Sequence, residues 1–367
     1  MRFRPTTVEV DLEAISHNVQ MLNPRSAELM AVVKADGYGH GAPGVSRAAL
    51  AAGATWLGVA LVEEGIALRD EGIDAPILVL SEFPPGSEKD ALAAGLTPTV
   101  YTEMGLEAVA EAARALDRSV GVHVKIDTGM HRVGIHPPEE ALPFILRVLD
   151  EGCELEGVWT HFARAEEDEE TTRRQLDRFV EIVEDLEHEG IRPRYRHAAN
   201  SAATILYPET HLDLVRVGIA MYGLEPGPGL RERANLHPAL SWRSAVSAVR
   251  RLPAGEGVSY GHRYRTERAS SLATVPVGYA DGYRRAFSSR ADVLIRGRRR
   301  RVAGNVTMDQ ILVDCGDDQV DPGDEVVLLG RQGEEQITAE ELAQMADTLN
   351  YEIVCGISTR IPRGHRE

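Results

Sequence analysis

Residues 31–41, Ala-Val-Val-Lys-Ala-Asp-Gly-Tyr-Gly-His-Gly, run from an apolar strand into a loop with three glycines. Met30 to Val33 is uniformly apolar, the composition of a strand buried on both faces of a parallel sheet. Lys34 stands at its end. There the stem is fixed by the strand and little water reaches the amine. Desolvation disfavours the ammonium and opens the neutral, nucleophilic form, which is what a Schiff-base lysine requires. Gly37, Gly39 and Gly41 let the backbone come close to a ligand, with Tyr38 between them as an anchor. Alone, the pattern equally describes a strand-end lysine whose amine reaches solvent.

Composition sharpens the reading. The chain carries 40 Lys+Arg, of which only Lys34, Lys89 and Lys125 are lysine. Either cation serves at a surface, but arginine keeps its proton and cannot do amine chemistry. A lysine retained against this bias is therefore a candidate for such chemistry.

Outward from this stretch, short apolar strands alternate with amphipathic helices. Strands are expected at 29–33, 56–61, 76–80, 97–101, 120–126, 155–161, 195–199 and 212–217, with helical patterns such as 46–52, 87–94, 103–116, 139–150 and 171–189 between them. Eight such units predict an α/β barrel of the TIM type over residues 1–232, with the active site at the C-terminal ends of its strands. Residues 1–10 read as a strand joining a second domain. From 233 to 367 the pattern becomes mostly β, with strands expected at 241–251, 269–277, 292–295, 301–303, 310–314 and 325–329. One helix stands out there, 338–349, opened by Thr338 and Glu341 at capping-box spacing.

The formal charge of −17 over 367 residues disfavours nucleic acid and anionic membrane surfaces as partners. Three scattered cysteines suggest neither a disulfide framework nor a metal site and fit a reducing, cytoplasmic setting. The N-terminal stretch has no signal-peptide core. The least polar run, 48–62, is too short for a membrane span and reads as helix, turn, strand.

The motif AVVKADGYGHG resembles the pyridoxal-phosphate lysine signature of alanine racemases. The likeness continues in order through DTGMHRVG (127–134), THFA (160–163), HAANSAA (197–203), VRVGIAMYG (215–223), GVSYG (257–261), VPVGYADGY (275–283), GNVTMDQ (304–310) and ISTRIPR (357–363). It implies the cofactor pyridoxal 5'-phosphate, bound to Lys34 as an aldimine, and interconversion of L- and D-alanine by two bases. The product would be D-alanine for peptidoglycan. Lys34 would be one base and Tyr260 the other, the latter reaching the barrel of a second subunit, so that a homodimer shares its sites. No metal is implied.

Barrels often bind phosphate in the loops after strands seven and eight. Asn200 and Ser201 precede a helical turn there, and Gly218 and Ile219 offer backbone N–H groups beside it; the Tyr38 hydroxyl would add to this cradle. By resemblance, Arg216 faces the pyridine nitrogen with His161 bonded behind it. Arginine keeps its protons, so that nitrogen stays unprotonated and the ring is a weaker electron sink. Arg132 resembles the arginine that orients the substrate carboxylate beside the tyrosine. Lys125 matches the lysine that becomes carbamylated to hold that arginine. Met308 and Tyr279 match substrate-pocket positions, and Arg285 and Glu166 the entry corridor.

Thr307 stands where many family members carry Cys, and Thr359 where many carry a phosphate-binding Tyr. These departures keep open a broad-specificity amino-acid racemase on the same scaffold. A decarboxylase would favour an acidic partner at the pyridine nitrogen, and a non-catalytic carrier of the cofactor would lack the domain that bears Tyr260. Borohydride reduction and peptide mapping should place the cofactor on the Lys34 peptide; an adduct on Lys89 or Lys125 would overturn the assignment.

Overall fold

In a computed structural model, residues 4–366 are described. They form two compact units. Residues 14–37 and 41–237 make one; residues 4–13, 38–40 and 238–366 make the other.

Strand β1 (Thr7–Asp11) opens the chain within the second unit. The first unit then contributes β2 (Glu28–Val32), β3 (Trp56–Val59), β4 (Ile77–Val79), β5 (Thr99–Val100), β6 (Gly121–Lys125), β7 (Glu154–Trp159), β8 (Tyr195–His197) and β9 (Leu214–Val217). Each falls within or beside an expected strand. All pairings are parallel, in the orders β4-β3-β2-β9 and β5-β6-β7-β8.

Two seams join these four-stranded halves without a full ladder. One is the Leu78–Thr97 bridge, with Val79 N–H donating to Thr97 O at 3.0 Å. At the other, the Asp213 and Arg216 N–H groups donate to Arg196 O and Ala199 O at 3.0 and 3.1 Å. The result is an α/β barrel whose hydrogen-bond ladder is interrupted twice.

Met30, Trp56, Leu78, Tyr195 and Leu214 pack into one buried cluster. Helices lay apolar stripes against the strands. Helix Glu103–Ala115 buries Leu106, Val109, Ala110 and Ala113 at helical spacing, with the Thr102 side chain accepting from Gly105 N–H at its start. Helix Val62–Asp70 was not expected; its sequence, VEEGIALRD, carries too weak an apolar stripe.

The second unit contains β10 (Leu240–Ala245), β11 (Ala248–Leu252), β12 (Gly257–Val258), β13 (Tyr264–Arg265), β14 (Ser270–Val275), β15 (Asp292–Ile295), β16 (Arg298–Arg301), β17 (Ile311–Asp314), β18 (Glu325–Gln332), β19 (Glu335–Ile337) and β20 (Arg363–Arg366). The main sheet runs β16-β15-β18-β10-β1-β20, with β19 on β18; β11-β14-β17 and β12-β13 are separate. β1 is antiparallel to β10 and parallel to β20.

The expected strand 241–251 is two strands. At Val246 and Ser247 the backbone N–H groups turn to different partners, Asp324 O and Thr274 O, and the chain changes sheet. The strand expected at 301–303 lies instead at Arg298–Arg301. It follows a two-residue turn at Arg296 and Gly297, whose φ values of 53° and 70° suit a tight hairpin. The four arginines of β16 all meet carboxylates: Arg298 and Arg300 pair with Asp318, Arg299 with Glu335 and Glu341, Arg301 with Asp292. Two helices rather than one complete this unit, Ala339–Ala346 and Asn350–Cys355.

The Thr338 hydroxyl oxygen accepts from Glu341 N–H at 3.1 Å, which caps the first of these helices. Thr338→Ala should cost about 1 kcal/mol in denaturant unfolding. An unchanged midpoint would show that water satisfies that N–H equally well.

Candidate active site

Lys34 follows β2 by two residues and is half-buried. Beyond it the chain makes a left-handed turn, with φ of 53°, 51°, 60° and 52° at Ala35, Asp36, Gly37 and Tyr38. L-residues avoid this region, so three non-glycine residues there are held by their surroundings. Gly37 N–H donates to Val33 O at 2.8 Å, and Ala35 N–H to Glu64 Oε1 at 2.6 Å. Asp36 Oδ1 accepts from Ala42 N–H at 2.8 Å. Glu64 also accepts from Ala60 N–H at 2.9 Å, which ties the ends of β2 and β3 together. Its bonds to Ala60 and Leu61 N–H are local, but the bond to Ala35 that ties it to the lysine loop comes from a separate segment, which the sequence does not mark.

Residues 38–40 belong with the second unit. Gly39 is required there: its φ is +78°, and a Cβ would lie 2.5 Å from Val354 O. Tyr38 is buried, with its ring centroid 6.0 Å from that of Tyr351, and burial pushes its phenol well above the ordinary tyrosine range.

Arg216, in β9, is buried among neutral acceptors. Its guanidinium donates to Thr160 O at 2.7 Å, Ala198 O at 3.0 Å and His197 Nδ1 at 2.9 Å, and lies 3.4 Å from His161 Nδ1. His161 was expected behind Arg216, yet His197 is the closer partner. HAANSAA contains His197, but a motif does not say which way a ring turns. Burial lowers Arg216 to about 9, so it still holds its proton at neutral pH. Burial, and then Arg216 itself, push His161 and His197 well below the usual histidine value, so both are neutral.

Lys125 ends β6, with its Nζ 4.5 Å from the centre of the Trp159 ring; the Arg216 guanidinium is 4.7 Å from the same ring. Burial, then Arg132 and Arg216, lower its amine to about 7 against the opposing pull of Asp127. Lys34 also acts on it, so the barrel end gathers the amines and guanidinia of Lys34, Lys125, Arg132 and Arg216 around the neutral ring of His161.

Arg132 is exposed on the loop after β6. Asp127 pins that loop, its Oδ1 accepting from Gly129, Met130 and His131 N–H at 2.9, 2.9 and 3.0 Å. Gln175, buried on helix Glu169–His188, donates to His161 O and Thr128 Oγ1 at 3.1 and 3.3 Å and accepts from Ala163 N–H at 2.9 Å. Sequence reading passed over both. The Asp-x-Gly spacing could have flagged Asp127; Gln175 makes its contacts far along the chain.

After β8, Asn200 caps helix Ser201–Leu206 by accepting from Ala203 N–H at 3.0 Å. Gly218 does not present a free N–H to a ligand, as the sequence suggested. It donates to Ser201 Oγ at 2.9 Å, which leaves that hydroxyl's own proton and the Ile219 N–H at the start of the turn Ile219–Tyr222. Glu166 is exposed.

In the second unit Tyr260, Tyr279 and Met308 are exposed, Tyr260 to 76%. Tyr260 stands between Ser259 at φ 62° and Gly261 at φ 72°. Asn305 holds that loop: its Nδ2 donates to Tyr260 O at 2.7 Å and its O accepts from Ser259 Oγ at 2.9 Å. The Tyr279 turn is stapled by Tyr279 N–H to Thr307 O and Ala280 N–H to Met308 O, at 2.9 and 3.0 Å. Gly278 permits this, since a Cβ would lie 2.3 Å from Thr307 O. Thr307 closes a turn on Gln310, donating to Gln310 O at 2.8 Å, while Thr359 and Arg285 are exposed.

Sequence models of the alanine racemase N-terminal and C-terminal domains match residues 10–226 and 239–365. The chain belongs to the alanine racemase family. It is 53% identical to the alanine racemase of Symbiobacterium thermophilum over 98% of this chain and 97% of that one. Among solved structures, the alanine racemase of D-cycloserine-producing Streptomyces lavendulae matches with a TM-score of 0.94 and 42% identity, covering 100% and 98% of the two chains. That of Bacillus anthracis with bound L-Ala-P matches at 0.93 and 39%, covering 100% and 96%.

Asp127 gives this family member a predictable acid sensitivity. Burial alone would raise its carboxyl, but the three N–H groups of His131, Gly129 and Met130 outweigh it, so the folded value lies below the ordinary one. Its stabilising contribution is complete above about pH 4 and is lost as pH falls through the folded value. Asp127→Asn should therefore flatten the acid limb of stability in urea unfolding and weaken the Arg132 loop. An acid limb identical to the parent's would show that the three bonds do not depend on the charge.

Proposed function

We propose that the protein is an alanine racemase using pyridoxal phosphate on Lys34, working in the cytoplasm to supply D-alanine for peptidoglycan. The observation that carries it is the barrel end itself: β2, which leads into Lys34, pairs with β9, which bears the buried donor-only Arg216, and both groups act on Lys125 and His161.

The donor set suits the cofactor. Lys34 would hold its aldehyde carbon. Arg216 has only protons to offer and so would suit an unprotonated pyridine nitrogen. The Ser201 hydroxyl and Ile219 N–H would meet the phosphate, with Asn200 and Gly218 fixing Ser201. When bound, the cofactor supplies the electron sink that acidifies the α-hydrogen of an amino acid.

The chain's own groups then do the proton work. The Lys34 amine takes or gives the α-proton on one face, and the Tyr260 phenol on the other. Arg132 holds the substrate carboxylate, and Met308 and Tyr279 bound the space for a small side chain. Arg216, offering protons and accepting none, would keep the ring nitrogen unprotonated and so favour return of the proton to the α-carbon.

Lys125 would be carbamylated. An amine lowered to about 7 is largely neutral just above neutrality, and carbon dioxide adds to the neutral form. The carbamate would place a negative group among Arg132, Arg216 and Lys34. Labelled bicarbonate should give a carbamate carbon signal that fades as pH drops below about 7 and is absent in Lys125→Ala; a signal surviving in that variant would remove Lys125 from the role.

Tyr260, exposed and held in a fixed loop, would serve the Lys34 of a second copy, so the active form is a homodimer. The named relatives favour strict alanine racemisation over the broad-specificity reading, and chiral analysis after incubation with a panel of L-amino acids checks this. Mixing inactive Lys34→Ala with inactive Tyr260→Phe should restore part of the activity, since one site of each heterodimer keeps both bases. Demonstrated subunit exchange with no recovered activity would exclude shared sites.

A further inference from the structure

Behind Arg216, a line of buried groups runs through the barrel. His197 Nε2 lies at hydrogen-bond distance from His123 Nδ1, 2.9 Å, while His123 Nε2 lies 3.6 Å from Glu156 Oε2, a charge contact longer than a hydrogen bond that leaves this Nε2 without a hydrogen-bond partner among the described residues. Both rings have zero exposure, and neither belongs to the proton chemistry above.

The line has one direction. A guanidinium only donates, so His197 Nδ1 accepts from Arg216 and its proton sits on Nε2. That proton goes to His123 Nδ1, which puts the His123 proton on Nε2, facing a carboxylate that only accepts. Neither end can run in reverse.

Two glycines make room for this line. Gly157 pairs in register with His123, and a Cβ on it would lie 2.5 Å from His123 Nδ1. A Cβ on Gly121 would lie 2.9 Å from Glu156 Oε2. Both are mid-sheet residues in β7 and β6 without the positive φ that would otherwise call for glycine. A strand glycine of this kind marks a close approach, here of the ring and of the carboxylate. Trp159 stacks on His197 at 5.6 Å between centroids, and Tyr195 on His123 at 6.1 Å, so the rings are walled in place.

We propose that Glu156 is a positioning residue for Arg216, its carboxylate polarising a one-way relay through His123 and His197 that keeps an accepting nitrogen against the guanidinium. This rests on the reading that Arg216 addresses the cofactor's ring nitrogen. If the relay were inverted, two N–H groups would face each other at Arg216 and the guanidinium would turn.

The test uses the intact enzyme labelled with 15N-histidine. Its twelve histidines are sorted by the signals lost in His123→Asn and His197→Asn. His123 and His197 should both show the Nε2–H tautomer. Glu156→Leu, which removes the acceptor, should shift His123 toward mixed tautomers and lower kcat several-fold at unchanged KM. Glu156→Gln, which keeps an accepting oxygen and the shape, should restore the tautomers and part of kcat. Melting temperatures matched to the parent control for folding. An Nδ1–H tautomer or a charged ring in the parent would overturn the relay. Altered tautomers in Glu156→Leu with kcat unchanged would overturn the positioning role. The tautomers are read without substrate, so a parent lacking racemase activity would defeat the proposed function separately.

Discussion

A guanidinium buried without a carboxylate beside it is what the barrel end is arranged around. Taking such a charge out of water costs several kcal/mol even after the protein relaxes. Arg216 recovers this from the carbonyls of Thr160 and Ala198, the ring nitrogen of His197 and the face of Trp159. Those partners sit at or just beyond the ends of β7 and β8, so satisfying one charge fixes the positions of both segments. Burial first, and then the same charge, keep His161 and His197 neutral, and both help to bring Lys125 near neutrality.

The lysine loop shows a second constraint of the same kind. A left-handed turn through Ala35, Asp36 and Tyr38 costs of order 1 kcal/mol or more per residue. Backbone bonds to Val33 and carboxylate bonds from Glu64 and Asp36 hold it. Strain of this sort persists only where surroundings over-determine the backbone, and such places are commonly functional. Here it sets the direction in which the chain leaves Lys34.

Barrel strands such as β2, β3, β4 and β9 were legible because each is largely a short apolar run, the composition that burial on both faces demands wherever the strand lies. The cap at Thr338 was legible because its bond is local. Helix Val62–Asp70 was not, since four of its nine residues, Glu63, Glu64, Arg69 and Asp70, are charged. The division of 241–251 between two sheets was hidden too, because the partners that draw Val246 and Ser247 apart are Asp324 and Thr274.

For the site, residue types and order were present in the sequence: the lysine at a strand end, the arginine in VRVGIAMYG, the tyrosine in GVSYG. Chemistry of type follows from side-chain identity alone, and so does the rule that arginine donates without accepting. Orientation does not. That His197 rather than His161 lies closest to Arg216, that Gly218 donates to Ser201 Oγ, and that Gly121 and Gly157 make space for a carboxylate and a ring were all decided by the tertiary structure. Each depends on which groups from distant strands arrive within about 3 Å of one another, a distance that close packing sets and linear order does not.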